Sequence, residues 1–346
     1  MSDVAVLILH PEAGPRAGEL ERWVALARAA TAERHRRGFL AAGATDATVT
    51  GGPPDDITFG ARLRSFVASS PGNGVVVLGS GAIPMATSAD RRAFIEAAAA
   101  DEPRALTNNR FSADVVAVSQ ADMLRNVPDL PTDNALPRWL AEVGGYDVTD
   151  LRRRWRLGVD IDGPLDLVLL GSAAEMASAN VVDRVTERLA ALRVVAADPH
   201  AELIVAGRTS ASGLGWLERR VTARTRAIVE ERGLRTAIAG QRPPRSVLGA
   251  LLDRDGPASL GTLLADMGEG AAVDSRVLLA HRFGADQATW PVPEDRFASD
   301  LLLHERIADP WLRELTQAAA SAPIPIVLGG HTLVGPGLRL ALRQRR

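Results

Sequence analysis

Cysteine is missing from this 346-residue sequence, and so is lysine. The first absence excludes thiol nucleophiles, disulfides and cysteine-ligated metals. The second excludes Schiff-base chemistry and a Walker lysine, because all 40 basic residues are arginine. With arginine at every basic position, a single arginine is a weak functional signal. Long hydrophobic runs are also missing. The first apolar stretch, Val4–Leu9, has no basic segment before it and is too short for a signal sequence or a membrane span. The expectation is a first buried strand and a cytoplasmic protein. A formal charge of −2 gives no reason to expect nucleic-acid or membrane partners. No GxSxG elbow, Walker loop, EF-hand or HExxH is present, and no dinucleotide fingerprint follows the first strand.

What the sequence does contain is alternation. "VAVLIL" (4–9), "ATVT" (47–50), "GVVVLG" (74–79) and 113–118 read as strands, with helices expected over 18–42, 57–70, 88–100 and 135–142. The second half continues with strands expected at 201–207, 275–281 and 324–330. Helices there are expected near 180–194, 213–220, 245–253, 258–267 and 309–320. Such alternation predicts an α/β protein with a three-layer, mostly parallel sheet. The domains are placed at 1–172 and 173–346, the second a further α/β domain of unknown role.

Ligands in open α/β sheets bind beyond the carboxyl ends of the strands, so polar segments there draw attention. "GSGAIP" follows the third strand, and Gly79, Ser80 and Gly81 can bring backbone amides close to an anion or a base edge. A tight turn explains the same residues. "TNNRFSAD" gathers Asn108, Asn109, Arg110, Ser112 and Asp114 at one strand entrance, a set suited to base edges, phosphate and hydroxyls. The alternative is an Asx-rich turn that satisfies its own backbone. The arginine run Arg152–Arg156 reads as a solvated face, with a phosphate contact as the other reading.

"DIDGPLDL" (160–167) places Asp160 and Asp162 on one side of an extended segment, where hard carboxylate oxygens can hold a divalent cation. Asp162 also suits the cap of a helix with Pro164 in its first turn. Taken with "FGARLRSF" and "GVVVLGSGAIP", this motif resembles the GT-A-like nucleotide-binding families. Among them are the molybdenum-cofactor guanylyltransferases and the phospholactate guanylyltransferases. The resemblance covers the N-terminal half and implies a nucleotidyl- or glycosyltransferase using magnesium and a nucleotide or sugar nucleotide. The chain departs from that pattern in two places. "HPEAGPRAG" carries no lysine, and "GSGAIP" lacks the strand-end aspartate, for which Asp114 is the candidate substitute.

In the second half, Arg208, Thr209 and Ser210 follow a strand and open a helix, as in a phosphate cradle, or as a simple cap by Ser210 or Ser212. His331 lies on a glycine turn after the last strand, and His281 near another expected strand end. The leading expectation is a transferase acting on a small phosphorylated or sugar metabolite, with Asp114, Asp162 and His331 catalytic. The alternatives are a noncatalytic ligand-binding protein on the same fold, or chemistry around His281 and His331. A homo-oligomer remains compatible with either.

Overall fold

The computed structural model describes residues 3–52, 55–69, 72–172, 179–230 and 243–343. Contacts divide the chain into two compact units. The first holds the residues up to Arg16 and Ala25–Ile161; the second holds Ala17–Val24 and the described chain from Asp162 onward. The boundary expected after residue 172 adjoins 173–178, which lie outside the described residues.

The first unit is built on β1 (Val4–Pro11), β2 (Asp46–Gly52), β3 (Gly74–Gly79), β4 (Arg104–Thr107), β5 (Val115–Val118) and β6 (Asp147–Asp150), in the order β2-β1-β3-β5-β4-β6. α1 (Glu19–Ala41), α2 (Phe59–Ser69), α3 (Ser88–Ala98) and α4 (Leu136–Glu142) accompany it. Continuous apolar strands demand cover on both faces, and period-two alternation decides which residue goes where. Val4, Val6 and Ile8 join Phe39 of α1 and Phe94 of α3 in one core layer. Leu7, Val75 and Val77 join Leu63 of α2 and Leu136 of α4 in the other. Each fully buried ring or leucine contributes about 1.5–3 kcal/mol of transfer free energy. An α/β fold is therefore observed, with a mixed first sheet: β5 runs antiparallel to both β3 and β4, while the other pairings are parallel.

Two short strands, β4 and β6, arise where no strand was expected. "RALT" and "DVTD" are too short and too polar to show a period; β4 takes its hydrogen bonds from β5 on one side and β6 on the other, and β6 pairs with β4 at the sheet edge. The arginine run after β6 has a partner that sequence could not show. Asp90, whose side chain is fully buried in the first turn of α3, accepts from Arg154 Nη1 at 2.8 Å and from Arg156 Nη2 at 2.8 Å.

The second unit carries a four-stranded, wholly parallel sheet, β7 (Glu202–Gly207), β8 (Arg224–Val229), β9 (Gly270–Asp274) and β10 (Ile326–Gly329), in the order β10-β9-β7-β8. Its helices are α5 (Pro164–Leu170), α6 (Asp183–Ala197), α7 (Ala211–Arg220), α8 (Val247–Asp255), α9 (Leu260–Ala265), α10 (Ser275–Phe283), α11 (Pro293–Asp300), α12 (Pro310–Ser321), α13 (His331–Val334) and α14 (Leu338–Ala341). The strand expected at 275–281 is in fact α10, and the strand lies just before it in "GAAVD". Small residues fit a strand buried on both faces, and Asp274 ends it by capping α10 through the Arg276 amide at 3.2 Å. The strand β8 was not expected either, because "RTRAIV" is largely exposed and rich in arginine.

Candidate functional site

The β2-β1-β3 order means that the connections from β1 and toward β3 leave on opposite sides, which opens a crevice at the carboxyl ends of β1 and β3. A cleft of about 150 Å³ lies there. Leu9 and Pro11 of β1 form one wall, and Gly79, Ser80, Gly81 and Ala82 after β3 form another. Asp114, Asp133, Asp160 and Arg28 complete it, so the lining is acidic with one guanidinium.

Antiparallel β5 is what brings Asp114 to this edge. In a parallel strand the residue before Val115 would lie at the opposite end of the sheet. Reversal places it beside the carboxyl end of β3, where the Gly79 amide donates to the Asp114 carbonyl at 3.3 Å. Asn108, buried at the end of β4, holds the loop between β4 and β5. Its Nδ2 donates to Asp114 Oδ2 at 2.6 Å and to the Leu157 carbonyl at 2.9 Å. Its Oδ1 accepts from the Asp114 amide at 3.0 Å. Asn109 closes an Asx turn by accepting from the Phe111 amide at 3.1 Å. Arg110 and Ser112 are exposed on the same loop. The two asparagines are thus occupied with the loop's own backbone and, for Asn108, with the Asp114 carboxylate, while Asp114 lines the cleft.

The glycine turn is held from three directions. Buried His35 of α1 donates through Nε2 to the Ala82 carbonyl at 2.7 Å. Burial pushes the pKa of His35 down to about 4, so the ring is neutral near pH 7. The Ile161 amide donates to the Gly81 carbonyl at 3.1 Å, and Arg28 Nε donates to the Ile161 carbonyl at 2.7 Å. A Cβ on Gly81 would lie 2.9 Å from that carbonyl oxygen and 3.1 Å from Asp160 Oδ1, so the turn needs glycine for close approach. Ile83, fully buried, sits at φ 41°, a left-handed conformation that costs a β-branched residue about 1–3 kcal/mol. Three amides of the turn are already used, two of them, Gly79 and Ser80, from the expected anion cradle. Ser80 donates to Leu9 at 2.8 Å, Ala82 to Gly79 at 3.1 Å, and Gly79 to Asp114 as above. His10 Nδ1 lies 3.1 Å from Ser80 Oγ, and burial lowers its pKa.

The two aspartates of "DIDGP" have different surroundings. Asp160 lines the cleft and accepts from its neighbour's amide, Ile161 N, at 2.8 Å. Asp162 belongs to the second unit, where its Oδ2 stands 3.8 Å from His331 Nδ1. Asp162 does not cap α5. Gly163 is the N-cap, and Asp166 reaches back to accept from the Asp162 and Gly163 amides, each at 2.8 Å. The helix starts one residue later than expected because the third-position carboxylate binds the entry amides.

Asp166 is buried, which together with the nearby Asp162 charge raises its pKa to about 8. A raised carboxyl contributes stability that is full below the unfolded pKa of 3.8 and is lost as pH rises through the folded value of about 8. Urea unfolding should therefore show Asp166→Asn more stable than the parent at pH 9 and no more stable at pH 5. Equal gains at both pH values would show that Asp166 does not hold its proton.

In the remaining expected positions, Arg208 is paired. Its Nε and Nη2 donate to buried Asp274 at 2.7 and 3.1 Å. Thr209 is buried, and Ser210 caps α7 by accepting from the Gly213 amide at 3.1 Å. His281 is engaged at both ring nitrogens. Its Nδ1 accepts from the Ser246 amide at 3.0 Å, which leaves the proton on Nε2 facing Asp253 at 3.0 Å. Arg28 and His35, which lie on α1, and Asp133 are not among the site residues expected from the sequence. Nothing local distinguishes a helical arginine that lines a cleft from one that faces water.

Among the described residues, no group of three or more His, Cys, Asp or Glu is placed to hold a metal ion. No helix among them is long and apolar enough to cross a membrane. Compared with protein-family models and with curated protein sequences, the chain matches none.

Proposed function

We propose that the chain is a nucleotide-dependent transferase of nucleotidyl- or glycosyltransferase type, with a GT-A-like first unit that takes its nucleotide or sugar nucleotide in the β1/β3 cleft. The observation that carries this reading is an acid-lined cleft at the point where the strand order reverses. Asp160 and Asp114 are the protein oxygens that would hold a magnesium ion. Two carboxylates suit magnesium when ligand phosphates and water supply the remaining oxygens. Such an ion would neutralise phosphate charge during transfer. Arg28 adds positive charge to the same lining, and the turn at Gly79–Ala82 sets how close a ligand can come. The cation would then bind together with the nucleotide rather than before it.

Thermal-shift measurements against nucleoside triphosphates and sugar nucleotides, with and without magnesium, test this. At a hundredfold excess over Kd a ligand adds about 2.7 kcal/mol, or roughly 5–10 °C in Tm. The shift should require both nucleotide and magnesium, disappear in Asp160→Asn and survive in Asp162→Asn. A parent protein that responds to no nucleotide with magnesium would sink the proposal.

A second reading, a noncatalytic ligand-binding unit, is favoured by two features. The cleft of about 150 Å³ is small beside ordinary ligand pockets of about 300–1,000 Å³, and Asp114 is hydrogen-bonded to Asn108. Nucleotide binding without product on phosphorus NMR would select that reading.

A further inference from the structure

We propose that Arg110, Phe111 and Arg152 form a stacking platform for the base of the bound nucleotide, an inference that rests on the nucleotide reading above. Among the described residues, Phe111 is the only aromatic side chain among the large hydrophobic ones left exposed, at 44%. Two guanidiniums attend its ring, Arg110 Cζ 5.7 Å and Arg152 Cζ 5.6 Å from the centroid. The first comes from the β4–β5 loop, the second from the segment after β6.

Both supports are fixed by the backbone. The loop is pinned by Asn108 and by the Asx turn at Asn109, and the Ser112 amide donates to the Asn109 carbonyl at 3.2 Å. The segment carrying Arg152 is tied to β4 by the Leu151 amide, which donates to the Thr107 carbonyl at 2.9 Å. Arg152 Nε lies 3.4 Å from Asp150. An aromatic ring kept in water on a rigid loop contributes little to the core, and its π-face is suited to a planar partner. Arginine planes add cation–π attraction and stack on bases as well. Phe111 and cleft-lining Asp114 are three peptide units apart, so their Cα atoms are at most about 11 Å apart. A nucleotide with its phosphates in the cleft can therefore reach the ring with its base.

Calorimetric titration of the full chain, with magnesium present, distinguishes the possibilities. The probes are ATP, GTP, CTP and UTP, with inorganic triphosphate as a probe that has no base. Stacking on an aromatic ring predicts that Phe111→Ala weakens the preferred nucleotide about 5- to 100-fold and leaves inorganic triphosphate unchanged. Phe111→Trp should restore the affinity. An unchanged nucleotide affinity in Phe111→Ala, with binding still lost in Asp160→Asn, overturns the platform and leaves the cleft reading standing. Equal losses for nucleotide and inorganic triphosphate also overturn it. A parent protein that binds none of the five probes overturns both proposals.

Discussion

Gly207→Ala is expected to destabilise the second unit by roughly 3–5 kcal/mol. Gly207 ends β7 at φ 128°, a conformation that L side chains rarely adopt and that costs them about 1–3 kcal/mol. Space adds to the backbone cost. A Cβ there would lie 2.2 Å from the Cβ of Asp274 on the neighbouring strand β9, so the two strand ends would have to separate. Overpacking of that kind costs about 1–3 kcal/mol more. It would also disturb the Asp274 carboxylate, which holds Arg208 and caps α10. Urea unfolding followed by circular dichroism measures the effect. Gly330→Ala is the comparison, because nothing lies within 4 Å of its Cβ position and its φ is −89°. A loss below about 1 kcal/mol in Gly207→Ala would mean that β7 and β9 are not packed as described.

Asp300→Ala should cost a similar amount, about 3–5 kcal/mol, for an electrostatic reason. Arg276 Nη1 and Nη2 donate to the two oxygens of Asp300 at 2.5 and 2.6 Å, with the Asp300 side chain only 2% exposed. Burial opposes the charge on Arg276, yet the facing carboxylate outweighs it and holds the guanidinium proton more firmly than usual. Removing the carboxylate leaves a buried cation with one further side-chain acceptor, Ser275 Oγ at 2.9 Å. The same reasoning predicts that Arg276→Met combined with Asp300→Leu is close to neutral, because both desolvation costs vanish together. A double-mutant cycle from unfolding midpoints gives the coupling. If Asp300→Ala proves nearly neutral while the double replacement is strongly destabilising, packing rather than charge holds this contact.

These two sites also show where sequence reading stops. Hydrophobic period, capping residues and glycine turns are local, so β1, β3 and the helices around Phe39, Phe94 and Leu63 were legible. That "TNNRFSAD" meets "GSGAIP" at one end of the sheet was not, because a parallel sheet would put a strand entrance at the opposite end from a strand exit. Partnership across the chain was not legible. Asp90 binds arginines 64 and 66 residues away, and Arg208 binds an aspartate 66 residues away. Residues at those separations meet only when strand order and helix packing bring them together. The frame of β9 and α10 was missed because "GAAVD" is short and poor in β-branched residues, whereas "SRVLLAH" is apolar enough to imitate a strand.

By itself, then, the sequence determined the alternation of strands and helices, the exclusion of lysine and cysteine chemistry, and the cluster of polar residues before β5. Tertiary structure alone decided that β5 runs backward and carries Asp114 to the β3 end, and that Asp160 lines a cleft while Asp162 stands beside His331. The reason is that strand direction depends on which neighbours a strand can pair with. Apolar periodicity reads the same in both directions.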